Sequence, residues 1–266
     1  AYFDEDSYLA SVNVAHNLAS LYFRTFDEKF VEEIRSYAIN YFRKILSNLG
    51  WEPQKSDKHT DALLRTFTIS VLGKMNDDTV TDDAIRKYQK FLKSPSSLSP
   101  DLIETICSIA AWNGNSKTFA ELKKLYTNAK TMEEKLRFLG AMCGFQDTKL
   151  LIKTLNFSQT SEVRSQNMQL PIMKIAGNPY GEKVLWPWLK KNWKNINKKV
   201  GHGNPLFNRI VASIAGVADD SMENEIKLFF KNNPTPGTER TQSQTLERIR
   251  INSKFLRTMR KEFKNG

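Results

Sequence analysis

Apolar residues recur at helical spacing along almost the whole chain, in runs of roughly ten to twenty residues that end at Gly, Pro, Asn or Asp. No segment shows the alternation of a half-buried strand. The run Phe30, Val31, Ile34, Tyr37, Ala38, Tyr41, Phe42, Ile45, Leu46 and Leu49 predicts a long amphipathic helix that stops at Gly50, before a connection at Glu52-Pro53. Asp57 or Thr60 is expected to cap the next helix, which carries Leu63, Leu64, Phe67, Ile69, Val71 and Leu72 and ends near Gly73. Thr81-Asp82-Asp83 is expected to open another, and Ser99-Pro100-Asp101 the one that runs to Trp112. Further segments fall at Phe119–Asn128, Met132–Met142, Thr148–Leu155, Ser161–Ile175, Gly181–Ile196, Pro205–Val217, Ser221–Phe230 and Thr238–Phe263. Helices joined by short turns describe antiparallel pairs. The pairs recur at roughly 35 to 45 residues without a tight repeat, as in degenerate solenoids. The expected fold is all-α, a superhelical stack of antiparallel helix pairs forming a single domain over residues 1–266 and presenting a concave face.

Sixteen Phe, eight Tyr and five Trp in 266 residues supply the apolar bulk for a core without staples. Cys107 and Cys143 both lie in apolar runs, where a thiol behaves as a small hydrophobe. That usage favours a reducing compartment, and a cytoplasmic location is expected. No stretch approaches the ~20 apolar residues that span a bilayer, so no membrane partner is expected. The start, Ala1-Tyr2-Phe3-Asp4-Glu5-Asp6, has no signal-peptide character and no Met, which suggests a fragment of a longer protein.

Forty basic residues against twenty-nine acidic ones give a formal charge of +11. The excess is uneven: seven Lys or Arg and no acid lie between Lys183 and Arg209, whereas residues 1–35 hold seven acids and three bases. An anionic partner is favoured. Trp186, Trp188 and Trp193 lie among Lys183, Lys190, Lys191, Lys194, Lys198 and Lys199, a pattern that could serve nucleic acid by phosphate contact and base stacking. Val184, Leu185, Trp188, Leu189 and Ile196 fall near one helix face, however, so the indoles are read as core and the lysines as a solvated face.

Catalytic signatures are lacking. His16, His59 and His202 form no His-Glu-x-x-His or other ligand spacing, the two cysteines are far apart, and no phosphate-cradling glycine loop or Gly-x-Ser-x-Gly is present. Asp82-Asp83 and Asp219-Asp220 are read as helix-start acids rather than a catalytic pair. The sequon Asn156-Phe157-Ser158 is a single short match.

Several motifs in order carry a resemblance. They are Gly50-Trp51, Asp61-x-Leu63-Leu64-Arg65, Glu133-Glu134-Lys135, Leu139-Gly140-Ala141, Val163-Arg164-Ser165-Gln166, Gly177-Asn178-Pro179-x-Gly181, Leu185-Trp186-x-Trp188-Leu189-x-x-Asn192-Trp193 and Thr245-Leu246-Glu247-Arg248-Ile249-x-x-Asn252. In this order and spacing the chain resembles the C-terminal helical domain of zinc aminopeptidases of the aminopeptidase N family, of the endoplasmic-reticulum, puromycin-sensitive and tricorn-interacting-factor types. The resemblance implies a bowl of HEAT or armadillo-like helix pairs that caps a catalytic domain and encloses its substrate chamber. It also implies a parent hydrolase with one zinc ion in a catalytic domain that is missing from this sequence, leaving this chain without catalytic residues, metal ligands or cofactor. The catalytic domain and peptide substrates are the implied partners.

In this family basic and aromatic side chains of the inner wall are thought to receive the peptide's C-terminal carboxylate, which suits the geometry of Arg. Tyr22 with Arg24 is the nearest match to the tyrosine-basic pair, although Phe23 intervenes, and Gly144 stands where a second basic residue would fall. Arg65 and Arg164 complete the candidate peptide contacts, and each could equally be an internal ion-pair partner. Trp51, Trp186 and Trp193 are assigned to packing between helices. Two other readings are a protein-binding helical scaffold and a basic nucleic-acid-binding domain.

Overall fold

Residues 8–201 and 204–264 are described by a computed structural model; His202 and Gly203 lie outside the described residues. Among the described residues the chain forms thirteen α-helices and no strand, so the all-α expectation holds. In chain order these are α1 (Tyr8–Arg24), α2 (Val31–Leu49), α3 (His59–Lys74), α4 (Asp78–Lys93), α5 (Pro100–Trp112), α6 (Ser116–Asn128) and α7 (Met132–Ala141). There follow α8 (Thr148–Ser158), α9 (Gln169–Ala176), α10 (Glu182–Val200), α11 (Pro205–Ser213), α12 (Glu223–Asn232) and α13 (Glu239–Glu262). The helices gather into two compact units that divide between Ala141 and Met142.

In the first unit each helix packs on those one or two places away in sequence: α1 on α2, α2 on α3, α3 on α4 and α5, and α7 on α5 and α6. Such nearest-neighbour contact is the signature of a repeat stack. Ile34, Ala38, Tyr41, Phe42 and Leu46 of α2 are buried, as their spacing predicts; Ile39, outside that run, is buried too, whereas Tyr37 is exposed. Phe42 meets Phe67 of α3 edge-on at 6.1 Å, and Tyr41 donates its hydroxyl to the carbonyl of Ser11 at 3.1 Å. Gly73 lets α3 approach α5, because a Cβ there would fall 2.6 Å from the Ile109 side chain.

Two helix starts differ from the expected ones. α4 begins at Asp78, three residues before Thr81, because buried Asp77 caps it by accepting from the Val80 N–H at 3.0 Å. The second oxygen of Asp77 accepts from Arg43 Nε of α2 at 2.6 Å, so one carboxylate both starts a helix and ties it to a neighbour. Asp77→Ala is expected to cost about 2 kcal/mol, measured by urea unfolding. α3 has Lys58 at its N-cap position instead of Asp57 or Thr60, and Asp61 reaches back to accept from the Lys58 N–H at 2.9 Å. Asp57 is withheld from capping by a different partner, Arg65.

The core of the second unit gathers around α10. Trp193 packs edge-on against Phe207, Phe229 and Phe230 at 5.3 to 5.6 Å, and Trp186 lies 5.1 Å from Phe229. Trp186 donates Nε1 to Glu225 at 3.1 Å, and Trp188 donates to Asn156 at 2.8 Å. The indoles are therefore core, while Lys183, Lys190, Lys191, Lys194 and Lys198 are exposed. Trp51, in the first unit, is half-buried beneath the Lys87 ammonium, 5.5 Å from its ring.

The motif Asn178-Pro179-Tyr180-Gly181 joins α9 to α10. The Asn178 amide donates to the carbonyls of Cys143 at 3.0 Å and Phe145 at 2.9 Å, and its oxygen accepts from the Tyr180 N–H at 3.0 Å. Gly181 lies so close to the end of α9 that a Cβ would fall 1.9 Å from the Ile175 carbonyl oxygen.

Between α8 and α9 the expected helix from Ser161 to Ile175 is shortened. The chain turns instead, makes a 3-10 turn at Ser165–Asn167, and resumes a helix only at Gln169. The carbonyls of Ser158, Thr160 and Val163 in this connection accept from Lys199 of α10.

The Glu223 carboxylate on α12 accepts from Arg250 of α13 at 2.7 and 2.5 Å and from Lys227. Hydrogen bonds first from Arg250 and then from Lys227 hold its pKa down at about 2, from 4.5. A carboxylate with a depressed folded pKa stabilises the fold above its unfolded pKa, and that contribution disappears as pH falls through the folded value. Thermal melts between pH 4.5 and about 2 are expected to decline less steeply in Glu223→Gln than in the wild type.

Candidate functional site

The four candidate peptide contacts divide by burial. Tyr22, in α1, is 3% exposed, and its ring meets Phe23 at 5.2 Å and Phe26 at 5.8 Å. Arg65, in α3, is 1% exposed. Arg24 and Arg164 are exposed.

The surroundings of Arg65 account for its burial. α2 ends at Leu49, and Gly50 turns the chain away with φ of +67°, a conformation that glycine adopts without the strain of a side chain. The last carbonyls of α2 lack helical partners. Arg65 supplies them: Nε donates to Gly50 at 3.0 Å and Nη2 to Leu49 at 2.9 Å, while Nη2 also lies 2.7 Å from Asp57 Oδ2. A cation at a helix C-terminus also faces the negative end of the helix dipole. The Gln54 N–H, and after it the Arg65 guanidinium, hold the Asp57 carboxyl below its ordinary pKa. Tyr22 and Arg65 are therefore parts of the packed interior.

Arg24 closes the last turn of α1, and its Nε donates to Ser20 Oγ at 3.2 Å. Arg164 precedes the 3-10 turn in the second unit, with φ −59° and ψ 143°. Arg24 and Arg65 belong to the first unit and Arg164 to the second.

The histidines and cysteines lie apart from one another among the described residues. His16 stacks on Phe67 at 4.2 Å, His59 is exposed at the start of α3, and His202 lies outside the described residues. Among the described residues no three His, Cys, Asp or Glu side chains converge as metal ligands. Cys107 and Cys143 are free and buried, and burial pushes the Cys107 thiol pKa well up, which disfavours a reactive thiolate. Ser158 of the sequon is buried, with its hydroxyl donated to Leu155, and Asn156 accepts from Trp188. No helix among the described residues is long and apolar enough to cross a membrane.

Sequence reasoning missed the cationic side chains that finish helices belonging to other elements. Arg35 donates to Met75 at 2.6 Å and Asn76 at 3.0 Å, beyond the end of α3, and Lys199 does the same for α8. The only local signal would have been a helix end without a following glycine, which does not specify the remote partner.

The comparisons with known proteins agree on one kinship. A family model described as the ERAP1-like C-terminal domain matches residues 1–251. Aminopeptidase M1-D of Oryza sativa subsp. japonica is 29% identical over 234 residues, covering 86% of this chain and 27% of the relative. Aminopeptidase M1 of Arabidopsis thaliana is 26% identical over 241 residues, covering 89% and 27%. A mitochondrial aminopeptidase 2 of Saccharomyces cerevisiae is 25% identical over 223 residues, covering 82% and 23%. The chain thus spans about a quarter of the length of the curated relatives it matches.

Proposed function

The chain belongs to the ERAP1-like C-terminal domain family, and on that basis we propose that it is the noncatalytic helical domain of an aminopeptidase N-type zinc metallopeptidase. In this reading it caps the substrate chamber and helps admit or hold peptides by their C-terminal carboxylate. The observation that carries it is the family match over residues 1–251, joined to relatives whose names are those of aminopeptidases. Its partners are the catalytic domain of the parent enzyme and peptide substrates, and the zinc ion belongs to that catalytic domain. A cytoplasmic location and a single domain over residues 1–266 complete the reading.

Two side chains could meet the carboxylate. Arg24 and Arg164 are exposed guanidiniums on backbone held by local hydrogen bonds, and Arg can grip a carboxylate by two parallel hydrogen bonds. The formal charge of +11 adds a long-range attraction for anions. Tyr22 and Arg65 support the wall from within and do not contact the peptide in this reading. The buried indoles of α10 remove the stacking platforms that a nucleic-acid reading would need.

The test is equilibrium binding of a decapeptide with a free C-terminal carboxylate and of its C-terminal amide, at matched salt. The free acid is expected to bind about tenfold more tightly, the worth of one charge-assisted contact, and Arg164→Ala to reduce that preference. Equal binding of the two peptides to the wild type, or tighter and steeply salt-dependent binding of a single-stranded oligonucleotide, would overturn the reading.

A further inference from the structure

Arg164 follows a stretch of backbone whose carbonyls have an unusual partner. α8 ends at Ser158, and the turn that follows contains no glycine and no positive φ to form the left-handed cap that commonly closes a helix. The backbone N–H groups of Gln159 and Thr160 close the last turn, and the ammonium of Lys199, in the last turn of α10, takes up the carbonyls at and beyond it. Its Nζ donates to the carbonyls of Ser158 at 3.1 Å, Thr160 at 2.8 Å and Val163 at 3.1 Å, which engages all three of its donors. The other lysines of this tract are exposed; Lys199 is half-buried, and desolvation lowers its pKa.

On the other side of Arg164 a second restraint begins. Its own carbonyl accepts from the Asn167 N–H at 2.9 Å, and the Ser165 carbonyl accepts from Met168 at 3.2 Å, which closes the 3-10 turn. Val163 is 1% exposed. The backbone of Arg164 therefore runs between an ammonium clamp at Val163 and a hydrogen-bonded turn at Ser165–Asn167.

We infer that Lys199 is a positioning residue for Arg164: it touches no peptide, but fixes the backbone from which the guanidinium must reach a carboxylate. The inference rests on the reading of Arg164 as a carboxylate contact. A guanidinium on a loose loop must be ordered at the moment of binding, and that entropy is subtracted from affinity. With the clamp intact the ordering has already occurred during folding. The loss should fall on the charge-dependent part of binding alone, so it should appear in the ratio of free-acid to amide affinity rather than in both affinities together.

The experiment compares the wild type, Arg164→Ala, Lys199→Met and Lys199→Arg, titrated with the same decapeptide as free acid and as amide. Backbone amide exchange across residues 159–167 is followed by mass spectrometry in parallel. In the wild type the preference for the free acid is expected to be about tenfold; it should fall to near one in Arg164→Ala and at least about threefold in Lys199→Met. Lys199→Arg, which retains donors for the carbonyls, is expected to recover most of it. Exchange across 159–167 should accelerate in Lys199→Met and return toward the wild-type rate in Lys199→Arg. If Lys199→Met does not fold, Lys199→Gln is measured in its place, with the same expected fall in preference.

A preference abolished by Arg164→Ala but unchanged by the Lys199 substitution overturns the positioning role and leaves the carboxylate reading standing. A wild type without preference, or one whose preference survives Arg164→Ala, overturns the carboxylate contact at Arg164, and the role of Lys199 falls with it. A Lys199 variant that weakens both peptides equally shows a purely structural clamp and also overturns the inference.

Discussion

Gly181→Ala is expected to lower the melting temperature by more than about 10 °C. A Cβ at that position would lie 1.9 Å from the carbonyl oxygen of Ile175 and 2.9 Å from its carbonyl carbon, so the obstruction is backbone and not the far end of a flexible side chain. Relief requires moving the end of α9 away from the start of α10. That displacement would disturb the neighbouring Asn178 amide, whose two hydrogen bonds reach Cys143 and Phe145. Overpacking that cannot relax belongs with the exceptional substitutions of about 4 kcal/mol or more, and a chain of this size loses roughly 2–4 °C per kcal/mol. Gly177→Ala, four residues earlier, is the internal control: its Cβ would meet only the Lys174 carbonyl at 3.6 Å, an ordinary contact. Thermal denaturation followed by circular dichroism checks both, and a Gly181→Ala protein melting with the wild type would refute the close approach.

Arg65→Ala is expected to cost about 3 kcal/mol, because it removes a buried guanidinium and leaves the Leu49 and Gly50 carbonyls without their side-chain donor. The Leu49 and Gly50 carbonyls would lose the side chain that closes the helix, and Asp57 would lose the cation that faces it. Arg65→Lys should recover only part of the loss, since a compact ammonium cannot imitate a planar fork that serves Nε and Nη2 acceptors together. Chemical denaturation at neutral pH measures the cost. A wild-type midpoint in Arg65→Ala would mean that the interior contacts of this side chain contribute nothing.

These two residues also mark what could be read along the chain. Arg65 and Gly181 both sit in motifs visible in the sequence, Leu63-Leu64-Arg65 and Asn178-Pro179-x-Gly181, and the second correctly marks the start of the α10 helix. The α2 and α10 helices were legible because their apolar faces repeat at 3.6 residues, and Trp186 and Trp193 could be assigned to the core by that periodicity alone. Direction of approach was not legible. Whether an arginine beside two leucines turns inward depends on carbonyls at the end of another helix, fifteen residues earlier for Gly50, and no local pattern encodes them. The turn after Ser158 was not legible either, since the ammonium that binds the Ser158 carbonyl lies 41 residues downstream. The start of α4 was missed although Asp77 is a good capping residue, because the acids at 82 and 83 offered an equally plausible local signal.

Burial then separated what sequence could not. Four residues qualified chemically as partners of a carboxylate, but only Arg24 and Arg164 keep their side chains at the surface. Charge and motif identify which groups could bind an anion. Only the packing of neighbouring helices decides which of them are available to one.

The division of the helices between Ala141 and Met142 bears on how the chain is made. Helices α1 to α7 have packing partners among themselves, most of them one or two helices away. Contacts so local in sequence favour rapid folding, commonly within microseconds to milliseconds, whereas a ribosome adds only about 5–20 residues per second. The first unit is therefore expected to complete its core while α8 to α13 are still being translated, so that the nascent chain need not expose the apolar faces of all thirteen helices at once.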